Sequence, residues 1–528
     1  LTMIQDITFT VLPGEEGNDE IIRRKAAEAL SKGRTQVKPE AISALVFRKK
    51  SVDARHGRIL INLRYTAYIG ELPAEGSAAG QAGAFAPAWK KADPARRVVI
   101  VGSGPAGLFA ALRLLEDGIT PVIVERGKAT SERKQDIANI TREGRVDSDS
   151  NYCFGEGGAG TFSDGKLYSR SNKRGNIGRI LAIFNYHGAE DAILTDAQPH
   201  IGTDRLPEII NRMRDTITAH GGVFRFGERC SGLILENGTV KGIETVPVAG
   251  SDDNGSVGSP AGKDAPRERI MGDAVILATG HSARDIYAML ARIELAGTPC
   301  PVLEAKAFAM GVRVEHPREL IDRIQYHGRD RGEDLPAATY RLVAQEEGRG
   351  VYSFCMCPGG LIVPSATSDD EIVVNGMSPS GRNSRWSNAA IVVETKVEDI
   401  PAEFLAPGAK DEGDTELPSL KALAGLRYQR WLEHETKRRG SGQKAPAQRL
   451  KDFIEGADSE TLPYCSYSPG VVPSRLDRWL PEEISERLHG AFIDFNKSMK
   501  GFISDDAILV ACETRTSSPV RILRDAES

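Results

Sequence analysis

The stretch that decides the fold is VVIVGSGPAGLFAALRLLEDGITPVIVERG, residues Val98–Gly127. Its first four residues are apolar and β-branched, which predicts a strand buried on both faces. This strand leads directly into Gly102, Gly104 and Gly107, a G-x-G-x-x-G spacing. In that setting the first glycine permits a tight turn, the second lets the backbone approach a diphosphate, and the third lets the next helix pack closely.

The residues after the glycines complete a βαβ pattern. An amphipathic helix is predicted up to Gly118, and a second strand is predicted over residues 121–124. Glu125 ends that strand, about where a carboxylate accepts hydrogen bonds from an adenosine ribose, and its charge would repel the 2′-phosphate of NADP. The combination predicts a dinucleotide-binding unit. The alternative is a βαβ unit whose glycines serve packing only.

Composition bounds what the rest of the chain can be. The length of 528 residues suggests about three domains. A composition of 40% hydrophobic and 27% charged residues is ordinary for a globular protein, and the net charge of −5 does not favour a nucleic acid partner. No stretch approaches the roughly 20 apolar residues of a membrane span. The acidic amino terminus is unlike a secretory signal, and seven scattered cysteines favour a reducing cytoplasm.

Residues 1–70 are predicted to form a small α+β domain. Strands are expected over 4–11, 44–49 and 59–68, with a helix over 19–31 capped by Asn18. Its basic residues are interpreted as a solvated surface, with nucleic acid contact as the alternative. Residues 71–92 are rich in Ala, Gly and Pro and are predicted to be a linker.

A glycine-rich segment follows the βαβ unit: NYCFGEGGAGTFSDGKL, Asn151–Leu167. Its glycines lack apolar periodicity, so we predict a loop whose backbone passes very close to another group. Exposed amide N–H groups in such a loop suit phosphate or the polar edge of a flavin ring. The alternative is a flexible surface loop, but Phe154, Phe162 and Leu167 would anchor it to a core.

Further elements are predicted along the middle of the chain. Helices are expected over 177–184 and 206–220. A hairpin follows Gly222 with its turn at Asn237-Gly238, and a buried strand AVILATG covers 274–280. Strands over 307–315, 361–363 and 372–375 predict a second, sheet-based domain.

With these pieces in hand, the chain resembles flavoproteins of the two-dinucleotide-binding, glutathione-reductase-like class. It most resembles bacterial proteins known as uncharacterised NAD(FAD)-utilising or FAD-dependent dehydrogenases. The blocks that carry this resemblance are NYCFGEGGAGTFSDGKL, ILATGHSARD, YSFCMCPGGLIVPSA, VNGMSPSGRNSRWSNAA and ETRTSSPVRI, which lie across most of the chain.

The resemblance implies FAD as the cofactor and an α/β fold. The fold would combine a Rossmann-like FAD-binding domain, an inserted sheet-based substrate domain and the small α+β amino-terminal domain. Glu125 would bind the adenosine ribose with Arg126 nearby, and the backbone of Cys230 would contact the adenine. The remaining cofactor contacts would come from Gly102, Gly104, Pro105, Ala106, Gly107, Gly157, Gly158, Ala159, Gly160, Thr161, Asp164, Ala278, Thr279 and Gly280.

The resemblance also implies a division of the chain. Residues 93–300 would form the main part of the FAD-binding domain, 301–500 the substrate or cap domain, and 501–528 would return to the FAD-binding domain. Similar proteins continue into a Gly-rich segment facing the flavin. This sequence stops at Ser528, so we expect either a shortened chain or weaker flavin binding.

Three side chains are candidates for catalysis: His281, Lys166 and Arg515. His281 follows the ATG turn and is the candidate proton donor, with a hydrogen-bonded loop histidine as the alternative. Lys166 and Arg515, like Arg382 and Arg385, are candidate anion binders or charge partners for reduced flavin, Arg515 foremost.

Cys355 and Cys357 form a C-x-C pair, a spacing that suits neither disulfide exchange nor, without further ligands, a metal site. A packing or turn role and a role at the flavin face are both open for this pair. No metal site is predicted.

The leading hypothesis is a cytoplasmic FAD-dependent oxidoreductase that passes hydride or electrons through flavin to or from a small substrate. NAD(P)H is a candidate electron donor, although no second strand-GxGxxG-helix unit is found. Two alternatives stay open. One is an FAD-dependent RNA-modifying protein that holds RNA on its amino-terminal domain, and the other is a non-catalytic FAD-binding protein. No membrane partner is expected, and the sequence leaves the oligomeric state open.

Overall fold

The computed structural model of the chain describes residues 2–32, 36–55, 57–73, 85–162, 165–167, 175–248, 267–295, 298–405 and 421–524. Strands and helices alternate in its middle part, and strands dominate elsewhere. In chain order the strands are β1 (Met3–Val11), β2 (Ile42–Asp53), β3 (Leu60–Ile69), β4 (Asp93–Val101), β5 (Ile119–Glu125), β6 (Val223–Phe226), β7 (Glu228–Glu236), β8 (Thr239–Pro247), β9 (Glu268–Met271), β10 (Ala274–Leu277), β11 (Glu294–Leu295), β12 (Thr298–Pro299), β13 (Leu303–Ala305), β14 (Phe308–Pro317), β15 (Val343–Glu346), β16 (Arg349–Cys357), β17 (Leu361–Pro364), β18 (Val374–Met377), β19 (Trp386–Thr395), β20 (Ala445–Arg449), β21 (Val471–Pro473), β22 (Ile508–Glu513) and β23 (Val520–Ile522).

Helices connect or cover these strands. They are α1 (Asp19–Leu30), α2 (Pro105–Glu116), α3 (Thr130–Glu143), α4 (Ile177–Tyr186), α5 (Leu206–Ala219), α6 (Arg284–Ala291), α7 (Arg318–Gln325), α8 (Ala402–Leu405), α9 (Ala424–Arg439), α10 (Leu450–Glu455), α11 (Leu476–Trp479) and α12 (Glu482–Ser498). In the part of the chain that the structure describes, no helix has both the length and the apolar character needed to cross a bilayer.

A four-stranded parallel sheet carries the predicted βαβ unit. Its strand order is β10-β4-β5-β6, and Val101 at the end of β4 pairs with both Leu277 and Val124. The last four residues of β4 are buried, as the apolar run predicts. The chain leaves β4 toward β5 on one side and returns through β10 on the other. This reversal opens a crevice at the carboxyl ends of the strands, the usual ligand position in such sheets.

The antiparallel sheet β7-β8-β9 stands beside this parallel sheet. Asn237 (φ 51°) and Gly238 (φ 76°) form the turn between β7 and β8, as the Asn-Gly pair predicts. The first segment after Gly222 behaves differently from the prediction. It forms β6, which pairs in parallel with β5 instead of joining the hairpin.

The amino-terminal strands form an antiparallel sheet with the order β1-β3-β2, covered by α1. The Asn18 side chain caps α1 by accepting hydrogen bonds from the amides of Glu20 and Ile21. Buried residues of this unit, among them Ile7 and Ile61, belong to the same apolar cluster as Val312 and Ile391 of the largest sheet. The two sheets therefore share a continuous core.

The largest sheet has seven strands in the order β15-β16-β19-β14-β22-β20-β21. Its central strands β14, β19 and β22 are almost entirely buried. The predicted strand over 372–375 is shifted and forms β18 at Val374–Met377. Strand β22 also departs from the predicted layout, because residues 508–513 pair with β14 and β20 in this sheet. The fold is a mixed α/β fold with an FAD-binding-type parallel sheet and several further sheets, as expected from the sequence.

Candidate functional site

A cavity of about 440 Å³ lies at the carboxyl ends of β4, β5 and β10. We call it the first cavity. Its walls come from the glycine turn after β4, the end of β5, the glycine-rich loop, the start of β7 and the loop after β10. Of the residues predicted to hold the cofactor or act in catalysis, it is lined by Gly102, Gly104, Pro105, Ala106, Glu125, Arg126, Gly158, Ala159, Gly160, Cys230, Ala278, Thr279, Gly280, His281 and Arg515.

The glycine turn has the tight geometry that the motif predicts. Gly102 has a φ of 104°, and a Cβ there would lie 2.5 Å from the carbonyl oxygen of Ala278. A Cβ on Gly107 would lie only 2.0 Å from the carbonyl oxygen of Gly102. Gly107 is therefore buried behind the turn and does not line the cavity. Helix α2 begins at Pro105, so its amino-terminal amides and positive dipole end face the cavity.

Glu125 lies beside the turn, but its carboxylate is already engaged. The amide and hydroxyl of Ser103 donate to Oε2 at 2.8 Å each. The amides of Gly127 and Gly155 donate to Oε1 at 2.9 and 3.1 Å. These four bonds fix the glycine-rich loop against the end of β5. A ribose hydroxyl would have to share or displace one of these donors, and the ribose contact stays a prediction.

Arg126 and Cys230 line the same end of the cavity. The Arg126 guanidinium lies 4.6 Å from the centroid of the Phe154 ring and pairs with Asp285. Burial raises the pKa of the Cys230 thiol to about 11, so the thiol is protonated at neutral pH. The contact between the Cys230 backbone and the adenine stays a prediction.

The glycine-rich loop is held from beneath by a buried arginine. Arg133 of α3 is fully buried and donates to the carbonyl oxygens of Asn151, Tyr152 and Glu156 at 2.7–3.0 Å. Burial lowers the pKa of Arg133 to about 10, which still leaves it charged. No local pattern in the sequence distinguishes this residue from the exposed Arg142 of the same helix.

The predicted members of this loop divide into two groups. Gly158, Ala159 and Gly160 line the cavity, whereas Gly157 and Thr161 lie behind it. The Gly157 amide donates to the carbonyl oxygen of Ser103, and the Thr161 hydroxyl donates to that of Glu156. These two residues shape the loop instead of facing the cavity. Asp164 lies outside the described residues.

His281 follows β10 and lines the cavity. Its Nε2 is 3.0 Å from the carbonyl oxygen of Arg515, which can only accept, so Nε2 carries the proton. Burial lowers the pKa of His281, which favours the neutral ring at pH 7. A neutral ring with its proton held by a carbonyl presents Nδ1 as an acceptor. The arrangement thus favours proton acceptance by Nδ1 over the predicted role as a proton donor.

Arg515 lines the cavity but its charge is compensated. It belongs to a cluster of two arginines and two glutamates, of which Arg515, Glu371 and Glu433 are buried and Arg284 is half-buried. Arg515 lies 2.9 Å from Glu371 and 3.2 Å from Glu433. Burial opposes its charge, yet the two glutamates raise the pKa of Arg515 well above its ordinary value. The prediction of Arg515 as a charge partner for reduced flavin is weakened, because two carboxylates already neutralise this guanidinium.

Lys166 does not line the first cavity, where its predicted role as an anion binder or charge partner for reduced flavin would place it. Its Nζ is 3.7 Å from the Cys355 sulfur and 3.5 Å from the Cys357 sulfur. Lys166, Cys355 and Arg382 line a second cavity of about 630 Å³. Arg385 is exposed, with its guanidinium 5.5 Å from the centroid of the Trp386 ring.

The partners of Arg515 are residues that sequence analysis missed. Glu371 and Glu433 lie 87 and 149 residues after Arg284, and no local pattern links the three residues. A weak signal was present in α9, where Glu433 lies on the same helical face as the apolar Leu426. A charged residue on a buried face indicates an internal partner.

Three models of protein families match parts of the chain. The model of the family described as FAD-dependent protein, C-terminal domain-like, matches residues 307–516. A model of an FAD binding domain matches residues 95–145, which contain the glycine turn and Glu125. A model of a domain of unknown function matches residues 3–68.

Several solved structures also match with low scores. They include THI4 of Thermovibrio ammonificans (18% identity, 40% of this chain and 66% of that one, TM-score 0.26), a triple mutant of the flavin-dependent brominase Bmp2 (12%, 56% and 56%, 0.27) and a flavoprotein/dehydrogenase from Cytophaga hutchinsonii (13%, 58% and 56%, 0.24). Each alignment spans less than two thirds of the solved chain, and scores this low carry no argument.

An uncharacterized protein of Clostridium beijerinckii is 37% identical over 437 residues, which are 81% of this chain and 73% of that protein. The identity extends across most of both chains, and the matched models name the cofactor. The chain therefore belongs to the same family as the Clostridium protein, a family of FAD-dependent proteins.

Proposed function

We propose that this chain is a dehydrogenase-like FAD-dependent oxidoreductase that transfers hydride or electrons through bound flavin. Within the FAD-dependent proteins we place it in the two-dinucleotide-binding class. The single observation that carries the proposal is the first cavity, which joins a helix amino terminus to the carboxyl end of β10. Such a cavity offers amides for a diphosphate at one end and a partly apolar wall for a ring system at the other.

The residues present suit FAD. Gly104 faces Gly158 of the opposite loop, and a Cβ on Gly104 would lie at an ordinary contact distance of 3.8 Å from the Gly158 Cα. The diphosphate would bind the amides that begin α2, and the ring would lie toward Thr279 and Gly280. When bound, the flavin supplies the capacity to accept and release one or two electrons.

The protein's own groups act around that ring. The Arg515 carbonyl orients His281, so that Nδ1 can accept a proton from a substrate. The neutral cluster around Arg515 closes one wall of the cavity without adding net charge. We propose NADH or NADPH as the electron donor. We also propose a cytoplasmic location, which the seven free cysteines support.

The test begins with the absorbance spectrum of the purified chain. We expect a flavin band that is bleached without oxygen by NADH or NADPH and by dithionite. A flavin band that only dithionite bleaches would overturn the nicotinamide donor but keep the flavoprotein. A colourless protein that gains no band after incubation with FAD would overturn the proposal.

A matched pair of variants ties the result to the glycine turn. Ala106 is exposed in the first turn of α2, so Ala106→Asp is compatible with the helix. Its carboxylate would repel the diphosphate, and we expect FAD retention to fall by at least about tenfold. Arg113→Gln on the same helix lowers the net charge by the same one unit outside the cavity. It should retain FAD like the wild type.

A further inference from the structure

The second cavity is bordered by the segment that follows β22, whose preceding residue Arg515 lines the first cavity. It is lined by Lys166, Tyr340, Arg341 and Arg382, by residues 352–356 of β16, and by Thr516 and Ser517. Its volume of about 630 Å³ is within the range of small-molecule sites. Neither the matched family models nor the curated relative assigns it a role.

The described lining of this cavity has one sign of charge. It contains Lys166, Arg341 and Arg382, and no aspartate or glutamate among the described residues. Arg382 also borders a neighbouring cavity that contains Asp196. When Arg382 is left out, Lys166 and Arg341 still give the described lining an excess of positive charge. A cleft lined by one sign of charge concentrates ligands of the opposite sign.

Neutral polar groups accompany the cations. Ser517 contributes to the wall, and Tyr340 is 4% exposed. The Thr516 hydroxyl already donates to the carbonyl oxygen of Ala309 at 2.9 Å. The Tyr340 hydroxyl has no hydrogen-bond partner among the residues that the structure describes. A buried hydroxyl without a partner costs free energy that a ligand oxygen could recover.

The second cavity is connected to the first through two short links. Arg515 lines the first cavity, and the next two residues line the second. The fully buried Arg313 lies between them. Its guanidinium donates to Asn375 in the wall of the first cavity at 3.3 Å and to the carbonyl oxygen of Cys355 in the wall of the second at 3.3 Å. A ligand in the second cavity would therefore lie next to the proposed flavin site.

We propose that the second cavity binds the anionic part of the substrate, so that the substrate is a small molecule bearing a carboxylate or phosphate group. Lys166 and Arg341 bind this group, and the hydroxyls of Ser517 and Tyr340 complete its hydrogen bonds. This inference rests on the proposed function only in identifying the bound anion as part of the substrate. The anion site itself can be tested whether or not the flavin is reduced.

The experiment measures binding of two probes, citrate and inorganic phosphate, to the purified FAD-loaded chain by isothermal titration calorimetry. Ionic strength is kept constant with sodium chloride. We expect saturable binding of at least one probe. Binding of phosphate alone would indicate a phosphate-bearing substrate, and binding of citrate alone would indicate a carboxylate. Absence of saturable binding by both overturns the proposal.

Variants locate the site. Arg341→Gln and Lys166→Met should each weaken binding of the responding probe by about tenfold or more, because each removes a charge-assisted hydrogen bond. Arg323→Gln removes an equal charge from an exposed position of α7 and should bind like the wild type. The proposal is overturned if all three variants weaken binding of the probe equally, or if none of them weakens it. Circular dichroism of each variant confirms that it is folded.

The same samples separate this proposal from the proposed function. FAD content is read from the absorbance of each protein before titration. A protein that holds no FAD but binds the probe at Arg341 keeps the anion site and loses the oxidoreductase. A yellow protein that nicotinamides reduce but that binds neither probe keeps the oxidoreductase and loses the anion site.

Discussion

Replacing Glu433 by glutamine should destabilise the protein strongly. Glu433 is fully buried, and its carboxylate accepts hydrogen bonds from Thr514, Arg284 and Arg515 at 2.6–3.3 Å. Glutamine has nearly the same shape, so packing changes little. The charge balance does change, because two arginines then face Glu371 alone.

The magnitude follows from the cost of an uncompensated buried charge. Removing one partner of a buried ion pair costs about 3–5 kcal/mol. Burial favours the neutral acid, yet Arg284 and Arg515 lower the pKa of Glu433 from 4.5 to about 2. A lowering of that size corresponds to about 3 kcal/mol of stability, on the order of the first figure. We therefore expect Glu433→Gln to lower the free energy of unfolding by about 3 kcal/mol.

The pH dependence has a defined sign. The folded state holds Glu433 ionised below the pKa of the unfolded state, so its contribution is complete above about pH 4.5 and is lost as the pH falls toward about 2. Wild type and Glu433→Gln should therefore differ most near neutral pH and converge in acid.

The assay is urea unfolding at pH 7, followed by tryptophan fluorescence. The control is Glu208→Gln, which removes an exposed ion pair with Arg212 and should cost less than about 1 kcal/mol. The double variant Glu433→Gln, Arg284→Gln restores charge balance and should cost less than the sum of the two single variants. A Glu433→Gln variant as stable as the control, or strictly additive costs, would refute the account of this cluster.

Three further predictions concern the loop and the core. Gly107→Ala should abolish FAD retention, since its Cβ would lie 2.0 Å from a backbone carbonyl oxygen. The control Gly17→Ala places its Cβ where no atom lies within 4 Å, so it should bind FAD normally. The absorbance of the two purified variants measures the FAD that each retains. Arg133→Met should free the glycine-rich loop and weaken FAD binding by about tenfold or more, measured by fluorescence titration, and exposed Arg142→Met should not. Burial raises the pKa of Glu315 to about 7, so its contribution to stability falls as the pH rises from about 4.5 to 7. Urea unfolding across this pH range should show that Glu315→Gln lacks this fall. Parallel pH profiles of stability for the wild type and Glu315→Gln would contradict the assignment.

The sequence by itself determined the parallel βαβ unit and its glycine turn. The close approach of Ala278 to Gly102 is a tertiary contact, but β4, α2 and β5 themselves are specified by apolar periodicity and by the local spacing of the glycines. The same holds for the Asn18 cap and the Asn237-Gly238 turn. These interactions act over a few residues, so a local pattern is enough to predict them.

Only the tertiary structure decided which charged groups meet. Glu433 reaches Arg284 across 149 residues, and Lys166 reaches Cys357 across 191. Strand β22 likewise pairs within the largest sheet, where its apolar residues are buried between β14 and β20. Whether an arginine lines a wall, neutralises a glutamate or meets solvent depends on which distant strand or helix packs against it, and no local pattern records that.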